Sequence, residues 1–220
     1  MKGTFSGERV SRDEFPGKEG DNMRRENKRA STKRLLLEAT RELIREKGCS
    51  GTTLADIMER SGLSKGAIFH YVKSKNELFY WVLQERSEDI DARFQAAAER
   101  PERSFEGPMQ EILARLPELT NPQELSNQVL MYLLGKSDVP DVREALARHY
   151  EQALRQARRW IEAGQDAGVI PPSVNPAYTA ELFMLISFGL RMRGAAGGEP
   201  AAFGVDEFAK LMTASLQPER

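Results

Sequence analysis

The residues best suited to chemistry lie in one run, Thr52-Thr53-Leu54-Ala55-Asp56-Ile57-Met58-Glu59-Arg60-Ser61-Gly62-Leu63-Ser64-Lys65-Gly66-Ala67-Ile68-Phe69-His70-Tyr71. Its hydroxyls, lysines and aromatic donors suit contacts to phosphate oxygens and base edges rather than bond making. Covalent catalysis has little to draw on. The two histidines, His70 and His149, are far apart, Cys49 is the single cysteine, and no H-E-x-x-H, G-x-S-x-G, Walker loop or G-x-G-x-x-G occurs. The acidic pairs Glu88-Asp89-Asp91 and Asp206-Glu207 read as solvated helix faces, so no metal or cofactor is expected. One cysteine excludes an internal disulfide framework and fits a reducing compartment.

Those donors need a scaffold that braces one short helix against another. From Thr32 the spacing is helical, with Leu36, Ala39, Leu43 and Ile44 on one stripe and Arg41, Arg45 and Lys47 off it. Gly48 ends this helix. Thr53 caps a second, with Asp56 completing a capping box, and Leu54, Ile57 and Met58 turn inward. Gly62 stops it, and Ser64 caps a third helix, Lys65 to Tyr71, with Ile68 and Val72 inward. This is a helix-turn-helix arrangement, in which the second helix of the pair enters a major groove while the first braces it. Small and polar Ser64, Lys65 and Gly66 let the backbone approach a partner, and Phe69, His70 and Tyr71 lie outward. Taken alone, two helices joined by a glycine also serve ordinary packing.

Beyond Ser74 the pattern changes to longer amphipathic helices. They run from Lys75 to Ala98, Met109 to Leu116, Gln123 to Leu134, Val142 to Ala167 with Gly168 as its stop, Ala177 to Arg191 behind the Asn175-Pro176 cap, and Val205 to Leu216. No strand alternation or internal repeat appears. The expected fold is all-α, about nine helices, with a helix-turn-helix domain over residues 23–75 and a larger helical domain over 76–220. Residues 1–22 are polar and aperiodic and are expected to form a disordered tail, Met23 being an alternative start.

Charge divides along the same line. From Arg24 to Lys75 there are thirteen Lys and Arg against six Asp and Glu, and from Asn76 to Arg220 fifteen against twenty-two. A basic segment suits a polyanion, and an acidic remainder limits indiscriminate adhesion to it. With 40% hydrophobic and 30% charged residues the chain should fold and remain soluble. Its most apolar late run, Leu182 to Leu190, is too short to span a bilayer, so no membrane partner and a cytoplasmic location are expected.

The run from Leu43-Ile44 and Gly48 through Thr52–Ile57 and then Gly62-Leu63-Ser64-Lys65-Gly66-Ala67-Ile68-Phe69-His70-Tyr71-Val72-Lys73-Ser74-Lys75-Asn76-Glu77-Leu78-Phe79 resembles the TetR/AcrR family of transcriptional regulators over about 45 residues. Val72 stands where the family usually has an aromatic, which keeps a core position apolar. The resemblance implies that Thr53, Ser64, Phe69, His70, Tyr71 and Lys75 touch phosphates and that Lys65, Gly66 and Ala67 face base edges. Lys65 is the candidate for guanine O6 and N7, with a phosphate-only contact as the alternative. It also implies a homodimer on palindromic double-stranded operator DNA, released by a small apolar or amphipathic effector.

The effector would lie among Phe94, Met109, Leu113, Leu130, Met131, Leu134, Tyr150, Trp160, Phe183 and Met184. The last two helices would form the dimer interface through Phe183, Ser187, Leu190, Phe208, Leu211 and Met212. Met and aromatic residues at helical spacing equally suit plain core packing. The competing readings are an enzyme, which the missing motifs disfavour, and a helical binding module that no longer binds DNA.

Overall fold

Polar caps and positive-φ glycines cut the chain into helices much where the sequence places them. The computed structural model describes residues 17–99, 104–198 and 202–217, and every regular element among them is an α-helix. These are α1 (Gly17–Gly51), α2 (Leu54–Ser61), α3 (Lys65–Phe69), α4 (Lys75–Ala98), α5 (Glu106–Leu113), α6 (Leu116–Thr120), α7 (Leu125–Leu134), α8 (Pro140–Asp166), α9 (Pro176–Ala195) and α10 (Val205–Leu216). The expectation of about nine helices omitted α6, a single turn opened by Pro117 near its start.

Two compact units make up the chain, Met1–Leu35 and Leu36–Arg220. Most of the expected tail, residues 1–16, lies outside the described residues. The helix nonetheless reaches back to Gly17, ahead of the apolar stripe that begins at Leu36. Described side chains from Met23 to Leu35 are exposed apart from half-buried Thr32, because this stretch has helix-forming residues but no apolar face. Gly48 (φ 72°) kinks the end of α1, and Gly62 (φ 67°) closes α2 in the left-handed conformation that only glycine adopts freely.

Within Leu36–Arg220 the apolar side chains gather in three clusters. Leu36, Leu43, Ile57, Ile68, Val72 and Leu78 lock α1, α2, α3 and the start of α4 together. Leu37, Ile44, Phe79, Val82, Val129 and Leu133 continue this core from α1 and α4 into α7. The third cluster joins α5, α6, α8, α9 and α10 around Met109, Ile161, Phe183, Phe208 and Met212. Each fully buried aliphatic contributes about 1.5–3 kcal/mol relative to exposure, so Ile57 and Ile68 help to hold the short helices in place. Buried Thr40 and Thr52 satisfy their hydroxyls on Leu36 O at 2.6 Å and Gly48 O at 2.9 Å. At the far end, α9 meets α6 so closely that a Cβ on Gly194 would stand 2.4 Å from Thr120 O.

Candidate nucleic-acid interface

The second helix of the motif is fixed by its first turn. Asp56 accepts from the Thr53 N–H and hydroxyl, both at 2.7 Å, pairs with Lys47 at 2.6 Å, and donates its own N–H to Thr53 Oγ1 at 3.2 Å. The Lys47 hydrogen bond, then those from Thr53, hold the Asp56 carboxyl down at about 2. The resemblance gives Thr53 a phosphate contact, but its one hydroxyl proton is engaged by Asp56, and a phosphate would have to displace that carboxylate. Arg60 ties the other end of α2 to α1, forked on Glu46 at 2.8 Å and reaching Glu42 at 3.0 Å.

Ser64 then caps α3, accepting the Ala67 N–H on Oγ at 3.3 Å and the Ile68 N–H on its carbonyl at 3.0 Å. The helix is shorter than the expected Lys65 to Tyr71. It ends at Phe69, where His70 and Tyr71 tighten into bonds to Gly66 O (3.1 Å) and Ile68 O (2.9 Å). Burial of Ile68 and Val72 fixes the rotation of this element, so Ser64, Lys65, Gly66, Phe69 and His70 are exposed while Ala67 and Tyr71 are half-buried. Phe69 keeps 45% of its surface accessible, with Lys65 Nζ 5.8 Å from its ring centre. His70 meets the Tyr71 ring edge-on at 5.4 Å. No atom lies within 4 Å of a Cβ built at Gly66, so the fold does not require glycine there and the position is open to a partner.

Two lysines beside this face are held differently. Lys73 was left out of the contact set, yet it is exposed directly after Val72. The only signal for it was its charge.

Lys75 turns inward. Its ammonium donates to Thr52 O at 2.8 Å and Cys49 O at 3.3 Å, and lies 5.6 and 5.3 Å from the Phe79 and Tyr132 ring centres. Two of its three N–H groups are spent on carbonyls between α1 and α2, so in this structure the residue is a strut with one N–H left for the phosphate contact that the resemblance implies. Beside it, burial pushes the Cys49 thiol up to about 11, which makes it inert.

Away from this face, α4 to α10 enclose a cavity of about 900 Å³. Six of the ten residues expected to line it do so: Phe94, Met109, Leu130, Trp160, Phe183 and Met184. The other four lie off its wall. Leu113 and Met131 pack partly buried against the clusters, Leu134 is 41% exposed, and Tyr150 leans on Phe188 with ring centres 5.7 Å apart. Trp160 stacks on Phe94 at 4.4 Å and donates to Asp91 at 2.8 Å, which fixes one side. The polar wall residues Arg86 and Arg191 were missed, since charge on an amphipathic helix reads as its solvent side until the packing is known, whereas His149 read as a surface or pocket polar group and lies on the wall.

The expected dimer residues lie largely within the protomer's own core. Phe183, Leu190, Phe208 and Met212 are between 1% and 7% exposed inside their own core, and Leu211 packs partly buried against it. Ser187 bonds back to Phe183 O at 2.8 Å and borders the cavity. The apolar residues left outside on α9 are Tyr178 (69%), Leu185 (58%) and Met192 (69%), seven apart and hence on one stripe.

Among the described residues no helix is long and apolar enough to cross a membrane, and no group of three or more His, Cys, Asp or Glu could hold a metal ion. The sequence pattern of the bacterial regulatory proteins of the tetR family matches residues 36–80. The HTH-type transcriptional repressor DhaR of Mycobacterium sp. (strain GP1) is 27% identical over 194 residues, covering 86% of this chain and 94% of that protein. YfiR, an HTH-type transcriptional regulator of Bacillus subtilis (strain 168), is 24% identical over 180 residues, covering 80% and 87%. The solved SmeT–triclosan complex shares the fold at a TM-score of 0.59 and 19% identity, covering 85% of this chain and 90% of that one. With the capped helix pair and the helical remainder in place, residues 36–80 match the pattern of the tetR family of bacterial regulatory proteins, and over most of its length the chain is similar to HTH-type transcriptional regulators.

Proposed function

We propose that the chain acts in the cytoplasm as a homodimeric repressor that leaves a palindromic operator when a small apolar or amphipathic effector fills the cavity. Residues 23–75 serve as the DNA-binding part and 76–220 as the effector-binding and dimerising part, with 1–22 outside both. The observation that carries this reading is the exposure of Lys65, Gly66, Phe69 and His70 on a helix whose rotation is set by buried Ile68 and Val72. In a major groove Lys65 and Gly66 meet base edges, while Ser64, Phe69, His70 and Lys73 lie toward phosphates. Thr53, Ala67 and Tyr71 support them from half-engaged positions.

One short helix reads too few base pairs for selectivity, which favours a twofold assembly. The Tyr178–Leu185–Met192 stripe suits a second copy, with exposed Gly189 allowing close approach. The repressor DhaR and the triclosan complex of SmeT support repression and a small ligand respectively.

Coupling has a physical route. α7 places Leu130 on the cavity wall and Tyr132 over Lys75, whose ammonium holds the Cys49 and Thr52 carbonyls next to α2. A ligand that shifts α7 or α4 alters that strut, and any preference for the shifted form weakens DNA binding by linkage. Selection of bound fragments from random DNA tests the reading. A palindromic consensus bound by a dimer supports it, and a folded protein that selects no sequence contradicts it.

A further inference from the structure

Arg191 is the unusual group of the cavity. It borders the lumen from α9, and its one side-chain hydrogen bond is to Asn127 Oδ1. No carboxylate lies within ion-pair distance of it among the described residues. The other cations of the wall are balanced: Arg86 pairs with Glu118 and with Asp89 at 3.3 Å, and Arg115 reaches Asp89 at 3.6 Å. Burial, the largest influence on Arg191, pulls its pKa below the ordinary arginine value, so this charge is held against desolvation.

The guanidinium is also positioned. Buried Asn127 spends its amide N–H groups on the carbonyls of Glu118 (2.8 Å), Asn121 (2.8 Å) and Leu119 (3.2 Å), which forces its oxygen toward Arg191. The contact of Gly194 with Thr120 O presses α9 against the same corner. His149 shares this end. Burial first, and then the Arg191 charge, hold its imidazole at about 4, so at neutral pH it adds no second cation and keeps one N–H to donate. Three carboxylates border the cavity: Glu118 is paired with Arg86 and, like Glu124, acts on Arg191 only from beyond ion-pair distance, Glu99 lies at the end of α4, and Asp166 sits seventeen residues beyond His149 along α8, roughly 25 Å away at 1.5 Å per residue. Between these poles the wall is apolar, with Phe94, Met109, Ile161, Phe183, Phe208 and Met212.

The geometry points to an amphipathic monocarboxylate as the effector, its carboxylate forked on Arg191 beside His149 and its apolar body along the lumen. This rests on the cavity being the effector site. A fixed fork of guanidinium donors matches a carboxylate better than a hydroxyl or an ester, and leaving it unfilled leaves a half-buried charge without an ion-pair partner.

Calorimetric titration of the full-length protein with dodecanoate, dodecan-1-ol and dodecylamine tests the assignment. Dodecanoate is expected to bind at least tenfold more tightly than the alcohol, with the amine weakest, and the acid-to-alcohol ratio should fall toward one in Arg191→Gln while alcohol binding persists. Equal affinity for acid and alcohol, a preference for the amine, or an acid preference that survives Arg191→Gln would overturn the carboxylate assignment and leave the cavity reading intact. Failure of every alkyl probe to bind the folded wild-type protein would remove the cavity reading itself. If Arg191→Gln does not fold, the wild-type ratio decides.

Discussion

The recognition helices and the cavity region solve opposite packing problems. Around α2 and α3 a small core is filled completely, with Leu36, Ile57 and Ile68 at 0–1% exposure, and each helix start is fixed by a side-chain cap within three residues. Around the cavity, long helices leave about 900 Å³ unfilled and hold their polar corner through contacts between residues far apart in sequence, such as Arg191 with Asn127. A reading surface must be rigid before its partner arrives, whereas a ligand chamber must keep space that the ligand fills.

Breaking the filled core should therefore cost most. Ile57→Ala removes a fully buried side chain and is expected to destabilise the protein by about 2–5 kcal/mol in chemical denaturation, with loss of DNA binding. A charge on the outer stripe of α9 comes next. Leu185→Glu places two carboxylates at a twofold interface and should raise the dimer dissociation constant at least tenfold, about 1.4 kcal/mol, in sedimentation equilibrium, with helicity unchanged.

Lys75→Ala sharpens the boundary between the regions. As a strut, its loss should weaken DNA binding several-fold while leaving the salt dependence of binding unchanged; a slope lower by about one would mark a phosphate contact instead. The smallest effect is expected at His149. Its folded pKa near 4 lies below the ordinary 6.5, so its contribution is complete above pH 6.5 and is lost as pH falls toward 4. His149→Gln should flatten the loss of stability between pH 6.5 and 4.5, on the order of 1 kcal/mol after allowance for partial exposure. The lowered carboxyls of Glu46, Asp56 and Glu207 lose their contribution mainly as pH falls through and below 4.5, and they are common to wild type and His149→Gln, so they cancel in the comparison.

The same contrast explains what could be read without the structure. Caps, stops and the inward positions of Ile57, Ile68 and Val72 are encoded within a few residues, so the helix-turn-helix was legible from Thr53, Asp56, Gly62 and Ser64 alone. The strut contacts of Lys75 were not legible because its carbonyl partners lie 23 and 26 residues earlier and its ring partner Tyr132 still further along the chain. On α9 the apolar residues surround the helix, so spacing could not tell Phe183 and Leu190, which face the core, from Leu185 and Met192, which face out. Arg191 drew no notice because its meaning depends on Asn127, which in turn depends on three carbonyls around the end of α6.

The most direct measurement is fluorescence anisotropy of the purified protein on its selected DNA fragment, titrated with salt for wild type and Lys65→Ala. Wild-type affinity should fall steeply and linearly in log–log form as salt rises, with Lys65→Ala weaker and less selective among base substitutions in the fragment. A folded protein with no salt-sensitive affinity for any duplex, or a Lys65→Ala variant that reads sequence as well as wild type, would contradict the placement of α3 in the groove.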